Sequence, residues 1–483
     1  MLYLHPLPLG GRQVAGGPAA AQPRYPLLPM GVVGLCNLLQ ARGHRVRGLN
    51  LAVEWTVEPG IDLAARLAGG SPRLVLIDLH WHEHCLGALE LAQSVRESLP
   101  GAFVLLGGLT ASAYAVELLA LCPAVDAVVR GDAEAALPAL ARALEQGQSD
   151  PPDGLPNLVT RREPEPARWV AGPSHLDALD VVSLGFLDHA EAYQRLIHSH
   201  PRRPGIRPAV GARGHWLPNG RGCAWDCGSC GGGRGAHRAV TGRPGLVWRD
   251  PAQVAADLAQ LRDAGVQQVA LGLDPDMAGA AHRDACLGSL GGLGLYLESF
   301  QLPSVALLDA VARGCDPDHS ELAITAVSGD PAHRRRHGKA FGDGELLACL
   351  DVLRARGMSV SVFFALGLPG EDDAAFEATL ALAGRLIERD RLGTQRVAAL
   401  PQALDPGAPM ALEPARWGLE PTDAGDLAAR LARARGLADG SLHPLDPRAL
   451  GYRVPGCELR DRAARWNELA TQAPEAVIPV PGG

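Results

Sequence analysis

The chain of 483 residues predicts an α/β protein: a doubly wound parallel sheet, then a partial (β/α)6 barrel, then a small C-terminal extension. Three observations carry this reading. Apolar runs of strand length alternate with helical patterns twice, over residues 1–148 and again over 209–400. Hydrophobic residues make up 47% and charged residues 20%, enough apolar content for a core in each unit. At roughly 150 residues per domain, the length leaves room for about three units.

The first series has strand candidates at Met1–Leu4, His44–Leu49, Leu74–Asp78, Phe103–Leu106 and Val125–Val129. Helical patterns fall between them at Gly31–Gln40, Gly60–Leu67, Ala88–Ser98, Ala113–Leu121 and Ala133–Leu144. Residues 149–208 are rich in Pro and Arg, with one helical stretch at Leu187–Ser199, and read as a connector. The second series places strands at His215–Pro218, Gln268–Gly272, Gly292–Leu297, Leu322–Val327, Ser359–Leu366 and Thr394–Leu400. Its helices are Ala252–Ala264, Val305–Arg313, Gly344–Arg356 and Asp373–Arg389. In residues 401–483, Asp405-Pro-Gly407 and Pro414 mark loops, Ala424–Leu437 and Ala463–Ala470 read as helices, and Pro479–Gly483 as a frayed end.

Charge excludes some functions. Lys and Arg number 45 against 53 Asp and Glu, a net charge of −8, and the densest basic run is only Arg334–Arg336. Nucleic-acid binding needs a concentrated cationic footprint, so no nucleic-acid partner is expected. The uncharged stretch Ser98–Val116 is broken by Pro100, Gly107 and Gly108, so no membrane span is expected, and with no basic leader the expected location is cytoplasmic.

Three of the ten cysteines cluster in Gly222-Cys223-Ala-Trp-Asp-Cys227-Gly-Ser-Cys230-Gly231-Gly232-Gly233. The spacing puts three thiolates on one loop just after the first strand of the second series. Three thiolates can hold three irons of a [4Fe–4S] cluster and leave the fourth iron open to an outside ligand. The competing readings are a zinc site with His237 as fourth ligand, and three unrelated thiols. Cys36, Cys85, Cys122, Cys286, Cys315 and Cys349 fall within apolar patterns and read as small core hydrophobes.

The first series carries three further groups: Asp78-Leu-His80-Trp-His82-Glu-His84, Gly107-Gly108-Leu-Thr110, and Arg130-Gly131-Asp132-Ala-Glu134. All follow strands three to five, so all open onto one edge of the sheet, where ligands of such sheets bind. Paired glycines let a bulky ligand approach the backbone, and Gly131-Asp132 is placed to cap the next helix and offer N–H groups to a ligand. His80, His82 and His84 are open to three readings: a separate metal site, cofactor-facing groups, or simple loop histidines.

The cysteine segment followed by six βα units resembles the radical S-adenosylmethionine (SAM) superfamily. Ser328-Gly329-Asp330 with Gly338-Lys339 resembles the stretch after the fourth barrel strand, and Phe363-Phe-Ala-Leu-Gly367-Leu368-Pro369-Gly370-Glu371 the fifth strand and its exit loop. The resemblance implies a [4Fe–4S] cluster on Cys223, Cys227 and Cys230, with SAM on its open iron. The SAM contacts it implies are Gly231, Gly232, Asp274, Ser328, Gly367 and Leu368. Ser229 stands where that superfamily often has an aromatic residue, Leu271-Gly-Leu-Asp274-Pro275 replaces its Gly-Gly-Glu-Pro-like turn, and Val327 precedes Ser328 where a Glu is usual.

The first 147 residues resemble the flavodoxin-like cobalamin-binding domain fused ahead of many such barrels. Gly107-Gly108 follows His80 by 27 residues, as in that family. The resemblance implies cobalamin contacts from Asp78, His80, Gly107, Gly108, Thr110, Gly131 and Asp132. The loop Leu4-His5-Pro6-Leu7-Pro8 lacks the Asp-x-His-x-x-Gly motif of cobalamin mutases, and His5 and His80 are the candidates near cobalt. No second cysteine motif is present, unlike in methylthiotransferases. The implied function is methylation of an unactivated carbon through a 5′-deoxyadenosyl radical and methylcobalamin, on a small-molecule or peptide substrate, with a flavodoxin- or ferredoxin-type electron donor. Cyclisation or rearrangement on the same cofactors, and a non-catalytic cobalamin- and cluster-binding module, are the alternatives. Glu298, Gln395, Arg396 and Asp405 are further candidates at the barrel mouth.

Overall fold

A computed structural model describes residues 1–8, 25–166, 176–201, 211–243, 245–420, 425–454 and 457–482. Parts of the expected connector (167–175 and 202–208), Ala424 of the expected tail helix and Gly483 lie outside the described residues.

The first sheet contains β1 (Leu2–His5), β2 (Arg47–Asn50), β3 (Leu74–Asp78), β4 (Phe103–Gly107), β5 (Ala127–Val129) and β6 (Leu158–Thr160). Their order is β2-β1-β3-β4-β5-β6, parallel through β5, which is the flavodoxin-like arrangement. Register follows the apolar alternation: Leu4 pairs with Leu49 on one side and Ile77 on the other. Leu2, Leu4, Val75, Ile77, Val104 and Leu106 pack on one face, and Tyr3, Leu76, Phe103 and Leu105 on the other. Burial on both faces explains why β3 reads as an unbroken apolar run. The sheet also extends past residue 148, because β6, within the expected connector, adds antiparallel to β5.

The second sheet contains β7 (Gly214–Leu217), then, after the small antiparallel pair β8 (Gly220–Arg221) and β9 (Val247–Trp248), the strands β10 (Gln268–Leu271), β11 (Gly294–Ser299), β12 (Glu321–Val327), β13 (Ser359–Leu366), β14 (Gln395–Pro401) and β15 (Val477–Ile478). The order β7-β10-β11-β12-β13-β14-β15 is parallel throughout, an open barrel of six βα strands closed at its far edge by a strand from the C-terminal extension. Helices are capped where the sequence supplies an Asp: Asp250 accepts from the Ala252 amide ahead of Pro251, and Asp372 from the Ala375 amide. A bulge interrupts β12 between Thr325 and Val327, and Val327 has φ of 68°, a left-handed conformation unfavourable for a β-branched residue.

The extension ties the two sheets together. Its helix Leu427–Asp439 buries Leu427 and Leu431 in the core of the first sheet. Within it, Arg430 donates to the Tyr114 hydroxyl of the first domain at 3.1 Å and to the Leu404 carbonyl at 2.7 Å.

Candidate functional site: a cysteine loop beside an interdomain cavity

Cys223, Cys227 and Cys230 occupy the loop between β8 and the helix Arg234–Thr241, all half-buried. Amides of the loop turn onto their sulfurs: Trp225 N–H donates to Cys223 Sγ at 3.4 Å, and Gly232 N–H to Cys230 Sγ at 3.3 Å. Burial, with Asp405 nearby, pushes the Cys230 thiol up to about 12, so it becomes a ligand only by giving its proton up to a metal. Lys339 is a buried cation that feels all three cysteines; burial lowers it and their thiolates raise it, while its Nζ donates to the Phe300 carbonyl at 2.6 Å. Ligands of one tetrahedral zinc lie about 3.8 Å apart. Among the described residues the His, Cys, Asp or Glu ligating atoms that gather within 4.8 Å as a group of three are those of His5, Asp78 and His84, so the cysteine sulfurs are spaced more widely than a single ion needs. That wider spacing, the amide-to-sulfur bonds and the buried cation fit a cluster. His237 instead turns into the interdomain cavity with its Nδ1 buried and unpartnered, its imidazole driven down to about 4 by burial.

The cavity, of about 390 Å³, lies between the first sheet and the barrel. Leu76, Leu105, Val129 and Leu137 form its apolar floor, and Asp78, His80, Gly107, Gly108, Gly131 and Asp132 line it. Its opposite wall includes Arg221 and Gly222, the two residues that lead into Cys223. Gly108 has φ of 111°, and a Cβ there would lie 2.7 Å from the Leu79 carbonyl oxygen, so only glycine lets β4 and the His80 loop meet. Thr110 is buried and outside the cavity wall; its hydroxyl holds the His80 carbonyl at 2.9 Å.

The three histidines part company. His80 faces the cavity, its imidazole lowered by burial. A turn over His82–His84 swings His82 to Asp405, 3.1 Å away, and His84 toward His5. His5 is not a free ligand: its Nδ1 bonds Asp78 at 2.9 Å and its Nε2 bonds the Tyr25 carbonyl at 3.1 Å. Both ring nitrogens of His5 are thus engaged by oxygens of neighbouring residues. Burial raises the Asp78 carboxyl, but His5 and the Tyr3 hydroxyl, 2.6 Å away, outweigh it and leave it below its ordinary value.

The expected role of Gly131-Asp132 is corrected. Asp132 caps no helix; the helix starts at Ala136 with Ala135 before it, because the Asp132 carboxylate is taken by Arg243 and Arg221 of the barrel. The Gly131 amide is likewise taken, donating to the Ser112 hydroxyl at 2.9 Å, and a Cβ there would lie 2.8 Å from the Thr241 carbonyl oxygen. Gly231 is approached closely, but by Asp405 and the Pro406 carbonyl of the extension rather than by open space. Ser328 is fully buried, with its hydroxyl 3.3 Å from Thr379 and accepting from the Asp330 amide. Asp274 is buried, accepting from the Asp276 amide and the Ser299 hydroxyl, and burial raises its carboxyl. Gly367 takes a left-handed turn (φ 73°) under Cys457 and Leu459, and Leu368 is in the core.

Glu298 on β11 is exposed at its surface, and the Tyr296 hydroxyl donates to its carboxylate at 3.0 Å. Gln395 is buried in place by its bond to the Leu386 carbonyl, and Arg396 reaches the His200 carbonyl, so neither lines the mouth. Trp417, Cys457 and Arg243 escaped sequence reading; each meets the site across more than 80 residues of chain, with no local motif to announce it.

An apolar-floored cavity thus lies at the carboxyl edge of a flavodoxin-like sheet, beside a three-cysteine loop on an open βα barrel. The comparisons agree. Residues 17–141 match the B12 binding domain family. Over 206 residues the chain is 27% identical to hopanoid C-3 methylase of Methylococcus capsulatus, covering 42% of this chain and 36% of that protein, so it spans about a third of the relative's length. The fold is similar to the radical S-adenosylmethionine methyltransferase TsrM of Kitasatospora setae, solved with tryptophan substrate and a SAM analog (TM-score 0.61, 18% identity, 87% of this chain and 78% of that one). It is also similar to the cobalamin-dependent S-adenosylmethionine radical enzyme OxsB (TM-score 0.52, 14% identity, 79% of this chain and 51% of that one). Among the described residues no helix is long and apolar enough to cross a membrane.

Proposed function

We propose that the chain is a cobalamin-dependent radical SAM enzyme that methylates an unactivated carbon of a small-molecule or peptide substrate, with electrons from a flavodoxin- or ferredoxin-type donor. One observation supports this reading: Arg221 and Gly222, which lead into Cys223, also wall the cavity at the edge of the first sheet. When bound, the groups supply a carbon-centred radical from reductive opening of SAM and a methyl group carried on cobalt.

The chain's own part is to hold and separate them. Cys223, Cys227 and Cys230 hold the cluster, and the loop amides steady its charge. Three protein ligands would leave one iron for SAM, and Gly232, Asp274 and the Gly367–Leu368 backbone would supply its further contacts. His80 would lie near cobalt, and Gly107, Gly108 and the apolar floor would flank the nucleotide tail of cobalamin. A non-catalytic cobalamin- and cluster-binding module is the second reading, favoured by Val327 in place of a glutamate and by Asp274 being tied to Ser299.

The test is anaerobic purification with cobalamin supplied, counting iron, sulfide and cobalt, then assay with methyl-labelled SAM. About four irons and one cobalt per chain, with label in the product, are expected. Label absent from a turned-over product points to rearrangement; an intact cluster that never cleaves SAM points to the non-catalytic module. Zinc in place of iron ends the reading.

A further inference from the structure

The C-terminal extension grips the backbone of the cysteine loop. Asp405 N–H donates to the Ser229 carbonyl at 3.4 Å, Met410 N–H to the Gly228 carbonyl at 2.9 Å, and Gly231 N–H to Asp405 Oδ2 at 2.9 Å. Trp417 packs so closely on Gly228 that a Cβ there would fall 2.8 Å from its ring. The other Asp405 oxygen, Oδ1, lies 3.1 Å from His82 Nε2 of the first domain. One carboxylate thus joins the extension, the first domain and the residue next to Cys230.

That carboxylate is ionised where charge counts. Burial alone raises it, but the hydrogen bonds from His82 and the Gly231 amide outweigh burial and leave it below its ordinary value. Only 34% of its side chain is exposed, so water screens it incompletely. Net charge close to an iron–sulfur cluster, and hydrogen bonds around its sulfurs, set its reduction potential. A fixed anion beside one ligand opposes the arrival of an electron.

We propose that Asp405 is a positioning residue for the cluster: it fixes the Gly231 amide beside Cys230, and its charge holds the cluster at a lower potential than the cysteine loop alone would set. The proposal rests on reading the loop as a cluster site. A low potential suits the function proposed above, since the electron must go on to break a C–S bond.

The test compares full-length wild type, Asp405→Asn and Asp405→Glu, each reconstituted anaerobically, with iron counted and the cluster titrated against redox dyes by EPR. Asparagine can keep both contacts, its carbonyl accepting from Gly231 and its amide donating to a neutral His82, while the charge is gone. The expected result is unchanged iron in Asp405→Asn and a reduced-to-oxidised ratio at fixed potential raised about tenfold, equivalent to about 59 mV for one electron. Asp405→Glu keeps the charge and stays near wild type. Loss of iron in Asp405→Asn alone also supports a role for the charge. A wild-type potential in Asp405→Asn, an equal shift in Asp405→Glu, or loss of iron from both variants overturns it. If wild type itself takes up no iron, the cluster reading fails and the proposal with it.

Discussion

Asp132 of the first domain and Arg243 of the barrel domain form an ion pair with 7% and 4% of their side chains exposed. Arg221 joins them, 3.2 Å from Asp132 and 2.6 Å from Glu134. Two cations and two carboxylates thus meet in a buried seam that walls the cavity and ends at the cysteine loop. Removing one member of such a set leaves an uncompensated charge in low dielectric, which costs more than the intact pair contributes. Asp132→Ala is therefore expected to destabilise the chain by about 3–5 kcal/mol, read as a lower urea midpoint and faster proteolysis between the two sheets. Adding Arg243→Met should recover part of the loss; a double variant as weak as the single one would place the cost elsewhere.

Gly107 and Gly108 are adjacent but predict different outcomes. A methyl at Gly108 meets the Leu79 backbone from a left-handed conformation, so Gly108→Ala should cost about 1–3 kcal/mol and lose cobalamin through a displaced loop. A Cβ on Gly107 meets nothing within 4 Å and points into free space along the cavity. Gly107→Ala should keep the wild-type Tm while retaining less cobalamin, measured by absorbance after gel filtration. Iron content should stay constant in both.

The fold was legible because most strands of its two large sheets are parallel and buried, so Leu74–Ile77 and Val362–Leu366 announce themselves as apolar runs. The cysteine loop was legible because its ligands are local. Asp405 was read only as a residue at the barrel mouth, since its tie to Gly231 spans 174 residues. Asp132 was misread for the same reason: a carboxylate before a helix is normally a cap, and only the folded chain brings Arg243 to it across 111 residues. His80, His82 and His84 alternate as in a strand, but a tight turn at His82–His84 sends them three ways.

The cysteines separate into two classes by surroundings. Cys36, Cys85 and Cys286 are fully packed, and burial pushes their thiols up, Cys286 to about 11. Cys36→Ala or Cys286→Ala should leave iron unchanged and lower Tm through lost packing. Cys223→Ala, Cys227→Ala or Cys230→Ala should each abolish most of the iron, counted chemically, while far-UV circular dichroism stays that of wild type. Cys457, against Gly367, is the control: half-buried like the three, outside their loop, and expected to hold no iron.

His215 at the start of β7 makes stability depend on pH. It is 2% exposed, its Nε2 bonds the Val181 carbonyl at 2.9 Å, and its Nδ1 is buried without a partner. Burial drives the imidazole down to about 4. The folded chain therefore keeps His215 neutral over a range where the unfolded chain, with an ordinary value near 6.5, takes up a proton. Between those values the unfolded state binds more protons, so stability rises with pH, is complete above about 6.5 and is lost as pH falls toward 4. The gap corresponds to about 3 kcal/mol for this one residue. Glutamine at this position can still donate to Val181 and does not titrate. Urea unfolding at pH 7, 6 and 5 should therefore show a shallower pH slope for His215→Gln than for wild type, by up to about 1.4 kcal/mol per pH unit. Equal slopes would mean that the folded chain already accommodates the proton.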